Sequence, residues 1–247
     1  MEDTQIKPQA GTAERARRLL PFGQLGLLAF AGAVFCLLGT LLFVRLAAGV
    51  LGDRFITFDD QVILRIHSGA APWITEVMSF FTFLGNPVPI GVFLAIVAFL
   101  LWRAGRWIDA AGLILAGAGG GILNQLLKGS FQRVRPELFP RIVEASGYSF
   151  PSGHAMGSIV CYGMLAFVGW RVVRTRFERF WLVLDAALLV FAIGLSRVYF
   201  GVHFPTDIIG GYIAGAIWLV ISIIAVRVAE WQVERRTQGF SNANERR

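Results

Sequence analysis

The chain has 247 residues, of which 55% are hydrophobic and only 16% charged. A soluble domain carries roughly 25% charge, and the mean hydropathy of +0.62 points the same way. Disorder, collagen and a small disulfide scaffold are excluded, which leaves a polytopic membrane protein. The net charge of +7 does not signal nucleic acid, because the 23 basic residues sit in gaps between apolar runs rather than along one polar face. Cys36 and Cys161 each lie inside an apolar stretch and read as packing thiols rather than a bridge.

A membrane-spanning helix needs about 20 mainly apolar residues. In chain order, residues 1–23 form a polar, basic N-terminal tail. Six spans follow, at about 24–44, 87–102, 107–127, 154–170, 180–196 and 205–226, and a basic C-terminal tail covers 227–247. The expected fold is therefore an all-α integral-membrane bundle of six transmembrane helices in one domain, 24–226. The first span reads as a retained anchor rather than a cleaved signal. The second is short and has apolar Met78–Leu84 just before it to borrow from. The stretch Thr57–Asn86 reads as an external loop with an amphipathic helix lying at the interface.

Lys/Arg bias sets orientation. Fifteen basic residues fall on the side holding both tails, Arg103, Arg106 and the 171–179 loop, and eight fall on the other. Both termini are therefore expected in the cytoplasm. The eight remaining cations are clustered, and three clusters on the outer side carry chemistry.

Lys128 and Arg135-Pro136 follow the third span. If its helix continues, the two cations lie seven residues apart on one face until Pro136 stops it, and an anion between them relieves their repulsion. Snorkelling to lipid headgroups suits the same residues. Pro151-Ser152-Gly153-His154 opens the fourth span with a turn whose free N–H groups suit an anion. There Ser152 also serves as an N-cap, and His154 is a candidate general acid. Ser196-Arg197, His203 and Asp207 join the fifth and sixth spans. Four residues separate His203 from Asp207, so the carboxylate can reach an imidazole N–H and raise the basicity of the other nitrogen. As a first-turn acid, Asp207 also suits the helix dipole alone. The combined charge favours a ligand with a dianionic group such as phosphate. No cysteine or carboxylate cluster has the spacing of a metal cage, so neither a metal nor another cofactor is expected.

At these residues the chain resembles the type 2 phosphatidic acid phosphatase family, whose fold is shared with vanadium haloperoxidases. The three family motifs read Lys128…Arg135-Pro136, Pro151-Ser152-Gly153-His154 and Ser196-Arg197…His203…Asp207, in order, within about residues 57–226. The resemblance implies that His203 attacks phosphorus, Asp207 orients it, and His154 protonates the leaving oxygen and then helps activate water. Lys128, Arg135, Ser152, Gly153 and Arg197 would hold the phosphate oxygens, and vanadate should inhibit. It also implies a membrane-embedded lipid phosphatase at the outer face of a bacterial cytoplasmic membrane, with undecaprenyl diphosphate as the first substrate to consider. Phosphatidylglycerophosphate, lipid A phosphates and phosphotransfer to a lipid acceptor are alternatives, and a lipid-binding or translocating protein is the non-enzyme alternative.

Other features are read as structural. The run Ala116–Gly121 suits close helix packing, and Gly211 and Gly215 suit packing within the chain or a homodimer. Asp185 is expected to pair with a nearby arginine and His67 to sit at a surface or rim. Asn124 and Gln125 are expected to support Lys128 by hydrogen bonding.

Overall fold

The computed structural model describes residues 10–140 and 143–244. Lys7, Arg141, Arg246 and Arg247, which contribute to the charge bias, lie outside them. The described chain is helical: α1 Ala10–Leu51, α2 Ile56–Ser68, α3 Pro72–Leu84, α4 Pro87–Arg103, α5 Trp107–Phe131, α6 Gly153–Trp170, α7 Arg176–Tyr199 and α8 Pro205–Asn244. Among the described residues five helices are long and apolar enough to cross a membrane, six when α3 and α4, bent by 52° at their junction, are counted together as one. Large apolar side chains such as Leu37, Leu41, Phe99, Leu115 and Phe191 stand exposed on the outside of the bundle. In water this surface would be a liability, and against lipid tails it is the expected one. No break in α1 or α8 marks residues 23/24 or 226/227.

The stretch Thr57–Asn86 departs from expectation. It is two helices rather than a loop with one surface helix, because Pro72 starts a second helix at its N1 position and that helix joins α4 as one bent span. Asn86 caps α4 by accepting from Val88 N at 3.1 Å, ahead of Pro87 at the first helical position. Gly85 sits at the bend, where an added Cβ would come 2.9 Å from His154 Cδ2. The break therefore leaves room for the imidazole of α6.

Small residues set the close approaches. Gly211 and Gly215 both face α6: Cβ atoms there would meet the carbonyls of Ser152 at 2.7 Å and Met156 at 2.9 Å. Their spacing is thus spent inside the chain. Gly119 and Gly120 similarly admit Trp218 of α8, whose indole N–H donates to Ala116 O at 2.9 Å. At the face opposite the site, Arg171 ties Asp109 of α5 (2.6 Å) to Glu230 of α8 (2.5 Å). Asp185 does not join these pairs. It is exposed on α7, and Arg179, six residues earlier, turns instead to Val173 O and the Trp170 ring. No arginine lies within one turn of it.

Candidate active site

Alternating spans bring the end of α5, the start of α6, the end of α7 and the start of α8 to one face of the bundle. Each end is fixed locally. Helix α5 stops at Phe131, where Gln132 takes a left-handed conformation (φ 49°). It does not run on to Pro136 as one helical face. Lys128 lies on its last turn, and Arg135 reaches the site from the following irregular segment. Ser152 caps α6 by accepting from Ala155 N at 3.5 Å, and its own N–H donates to Asp207 O at 3.0 Å. The beginnings of α6 and α8 are thereby stitched together.

His203 is buried between α7 and α8, with its ring nitrogens differently engaged. Nε2 lies 3.1 Å from Arg135 Nη1, and Nδ1 lies 3.3 Å from Asp207 Oδ2. A guanidinium can only donate, so Nε2 is the accepting nitrogen and Nδ1 carries the proton toward the carboxylate. Removal from water pushes the imidazole down to about 3, against the opposing pull of Asp207. The ring is therefore neutral at pH 7 and presents an Nε2 lone pair, as a nitrogen nucleophile requires.

Around this ring stand the predicted cations, held by carbonyls and hydroxyls. Arg135 donates to Val202 O (2.7 Å), Ser146 O (2.9 Å) and Gly147 O (3.0 Å). Lys128 donates to Tyr148 O. Arg197 is buried on the last turn of α7 and donates to Thr82 of α3 at 2.5 Å, while its Nε has no partner. His154 stands on the first turn of α6, packed against Gly85 at the α3–α4 bend. At Gly153 a Cβ would come 2.9 Å from Asn124 Oδ1, so a larger residue there would displace the Asn124 side chain. All eight predicted site residues meet at this one face.

The two expected supports of Lys128 are placed differently, and the hydrogen bonds of Asn124 go to α6 and the turn before it. Asn124 is buried and donates to Pro151 O at 3.4 Å, whereas Gln125 is exposed beside a groove. His67 is half-buried and stacks on Phe139 with ring centres 3.6 Å apart.

Two functional candidates were not anticipated. Arg133 donates to Asp207 Oδ1 (2.6 Å), to Asp59 Oδ2 (2.8 Å) and to Thr206 Oγ1 (2.8 Å). Asp59 of α2 is wholly buried and also accepts from Thr206 N at 3.1 Å and Thr206 Oγ1 at 2.6 Å. A trace of Asp59 is visible in the sequence, since it shares the apolar stripe Ile56, Ile63 and Ile66 of an amphipathic helix. A charge on that stripe needs a buried partner.

An apolar groove of about 810 Å³ between α4, α5 and α6 ends at the site. Its walls include Ile90, Leu94, Gly121 and Gly157, and it reaches Asn124 and Gly153. A second groove of about 840 Å³, between α6, α7 and α8, carries Arg171 and Arg227 at the far end and none of the predicted site residues.

Comparison with known proteins agrees with this geometry. The family model of the PAP2 superfamily matches residues 109–231, which hold all eight predicted site residues. Phosphatidylglycerophosphatase B of Bacillus subtilis is 31% identical over 179 residues, 71% of this chain and 86% of that protein. An undecaprenyl-diphosphatase of Sulfolobus acidocaldarius is 27% identical, over 72% of this chain and 81% of its own. The crystal structure of a transmembrane PAP2-type phosphatidylglycerolphosphate phosphatase from Bacillus subtilis superposes with a TM-score of 0.67 at 29% identity, covering 76% of this chain and 93% of that one. Sequence motifs, fold and site geometry converge: the chain belongs to the PAP2 superfamily, as a multi-pass membrane member of a family of lipid-phosphate phosphatases.

Proposed function

We propose that this protein hydrolyses the terminal phosphate of a lipid phosphate or diphosphate through a phosphohistidine on His203. The observation that carries the reading is the line Arg135–His203–Asp207, in which a neutral imidazole offers Nε2 among cations and gives its Nδ1 proton to a carboxylate. On this reading, Nε2 attacks the terminal phosphorus and its bond to the leaving oxygen breaks, the lipid oxygen of a monophosphate or the bridging oxygen of a diphosphate. His154 supplies the proton to that oxygen. Water then attacks the phosphohistidine with His154 taking its proton, phosphate leaves and His203 is regenerated.

Arg135 holds Nε2, so an incoming phosphate must draw the guanidinium onto its own oxygens. Lys128 and the unpartnered Nε of Arg197 supply further donors, as do the Ser152 hydroxyl and the Gly153 N–H. Their stabilisation matters most as charge shifts in the transition state. A ring of ammonium and guanidinium groups suits oxygen anions rather than a metal ion, which favours metal-independent chemistry.

The groove ending at Gly153 supports a lipid rather than a soluble substrate, since an apolar tail can lie in it while the phosphate meets the cations. The relatives act, by name, on phosphatidylglycerophosphate and on undecaprenyl diphosphate, and these two are the substrates to test first. Charge bias supports an orientation with both termini in the cytoplasm and the site at the outer face of a cytoplasmic membrane.

The test is inorganic phosphate release by detergent-purified protein from each lipid in EDTA. Release that vanishes in His203→Ala is expected. Release abolished by EDTA would contradict the metal-free mechanism, and folded protein inactive on both lipids would contradict the substrate class.

A further inference from the structure

Asp207, which orients His203, is itself held in place. Its Oδ2 takes the His203 contact and accepts from Phe204 N at 2.9 Å, while its Oδ1 is bound by Arg133 at 2.6 Å. Arg133 is committed on its other side to Asp59 at 2.8 Å and lies 4.0 Å over the Phe204 ring. Asp59 reaches across from α2 to accept from both the N–H and the hydroxyl of Thr206 in the first turn of α8. Asp59 and Asp207 are fully buried, and the Arg133 side chain is 12% exposed. One guanidinium thus serves two buried carboxylates, and one of those carboxylates caps the helix that carries the other.

We infer that Arg133 and Asp59 are positioning residues for the reaction: they act through Asp207 to fix the His203 ring and touch no substrate atom. This rests on the proposed role of His203. Three observations support it over a phosphate-binding role for Arg133. Both terminal nitrogens of Arg133 are occupied by carboxylates. Its plane is covered by Phe204. Arg135, two residues on, already faces Nε2. The charge balance makes Asp59 conditional. With Arg133 present, two carboxylates share one cation. Without it, Asp59 and Asp207 are left as like charges facing each other in a buried site, alongside Lys128, Arg135, Arg197, His154 and His203 on the phosphate side. The contact between Asp207 and His203 is then strained by Asp59, and removing the Asp59 charge should relieve it.

The experiment is a double-mutant cycle on phosphate release from phosphatidylglycerophosphate and undecaprenyl diphosphate, using Arg133→Met, Asp59→Asn and the double variant. Arg133→Met should lower kcat about 100-fold with KM within about two-fold of wild type, because transition-state orientation is lost and binding is not. Asp59→Asn should lower kcat about 10-fold. The double variant should exceed Arg133→Met by about 10-fold, a coupling that independent structural damage does not produce. Arg133→Lys, which keeps the charge, should retain more kcat than Arg133→Met, and Arg133→Gln, which removes it, carries the comparison with Asp59→Asn if the methionine variant does not fold. A rise in KM with kcat preserved in either Arg133 variant would make Arg133 a phosphate ligand and overturn the inference. So would a double variant, or in its absence an Arg133→Gln/Asp59→Asn combination, whose loss is the product of the single losses. If wild type releases no phosphate from either lipid, the proposed function fails first, and the two failures are distinguished.

Discussion

Arg135 Nη1 and His203 Nε2 stand 3.1 Å apart, and that contact settles which imidazole nitrogen carries the proton. Because arginine cannot accept, Nε2 keeps its lone pair and Nδ1–H points at Asp207. On the mechanism proposed above, the same guanidinium is a donor to an oxygen of the incoming phosphate, which would put nucleophile and oxyanion donor within one hydrogen bond of each other.

The orienting carboxylate should be expensive to lose. Asp207→Asn keeps the shape but offers an amide that can stabilise the wrong tautomer. The loss expected in kcat is roughly 10³–10⁴-fold, the size seen when the orienting carboxylate of a catalytic triad becomes an amide. Steady-state kinetics on a lipid phosphate checks this, and normal turnover would remove Asp207 from the mechanism.

Acid should destabilise the fold through His203. Burial holds its imidazole down to about 3, while the unfolded chain titrates near the ordinary 6.5. Between those values the unfolded state binds the extra proton, so stability is full above about 6.5 and falls as pH drops. Melting of the detergent-solubilised protein should show Tm declining from pH 7 to pH 4, with a shallower decline in His203→Gln. An equal slope in both proteins would contradict the assignment.

Helix packing can be tested apart from chemistry. A Cβ at Gly215 would come within 2.9 Å of Met156 O and against Ile159 of α6, a backbone contact that cannot yield cheaply. Gly215→Val should cost about 1–3 kcal/mol of stability by overpacking. Thermal unfolding in detergent measures it, and an unchanged Tm would mean that α6 and α8 are not so closely packed.

Much of this molecule is legible from residue order, for physical reasons that differ by part. The spans declare themselves by length and hydropathy, and Pro205 at the start of α8 and Ser152 before α6 mark where the site elements begin. His203 and Asp207 are readable because one helical turn joins them. Asp59 is not so readable, since its partners Arg133 and Thr206 lie 74 and 147 residues away. Arg133 sits inside the Lys128–Arg135 motif but looks like one more loop cation until its two carboxylates are seen. The expected continuation of α5 fails at Gln132, whose left-handed turn is a local conformation that hydrophobic periodicity does not report. The bend at Gly85 likewise becomes meaningful only once His154 is found against it.

The most direct test of the central claim is to trap the phosphoenzyme. Wild-type protein mixed with a lipid phosphate, quenched at alkaline pH and digested, should carry an acid-labile, alkali-stable phosphoryl group on the peptide containing His203. His154→Ala should both form and lose it more slowly, because the same imidazole protonates the leaving oxygen and activates water. A turning-over enzyme with no such adduct, or with the phosphoryl group on another residue, would contradict attack by His203.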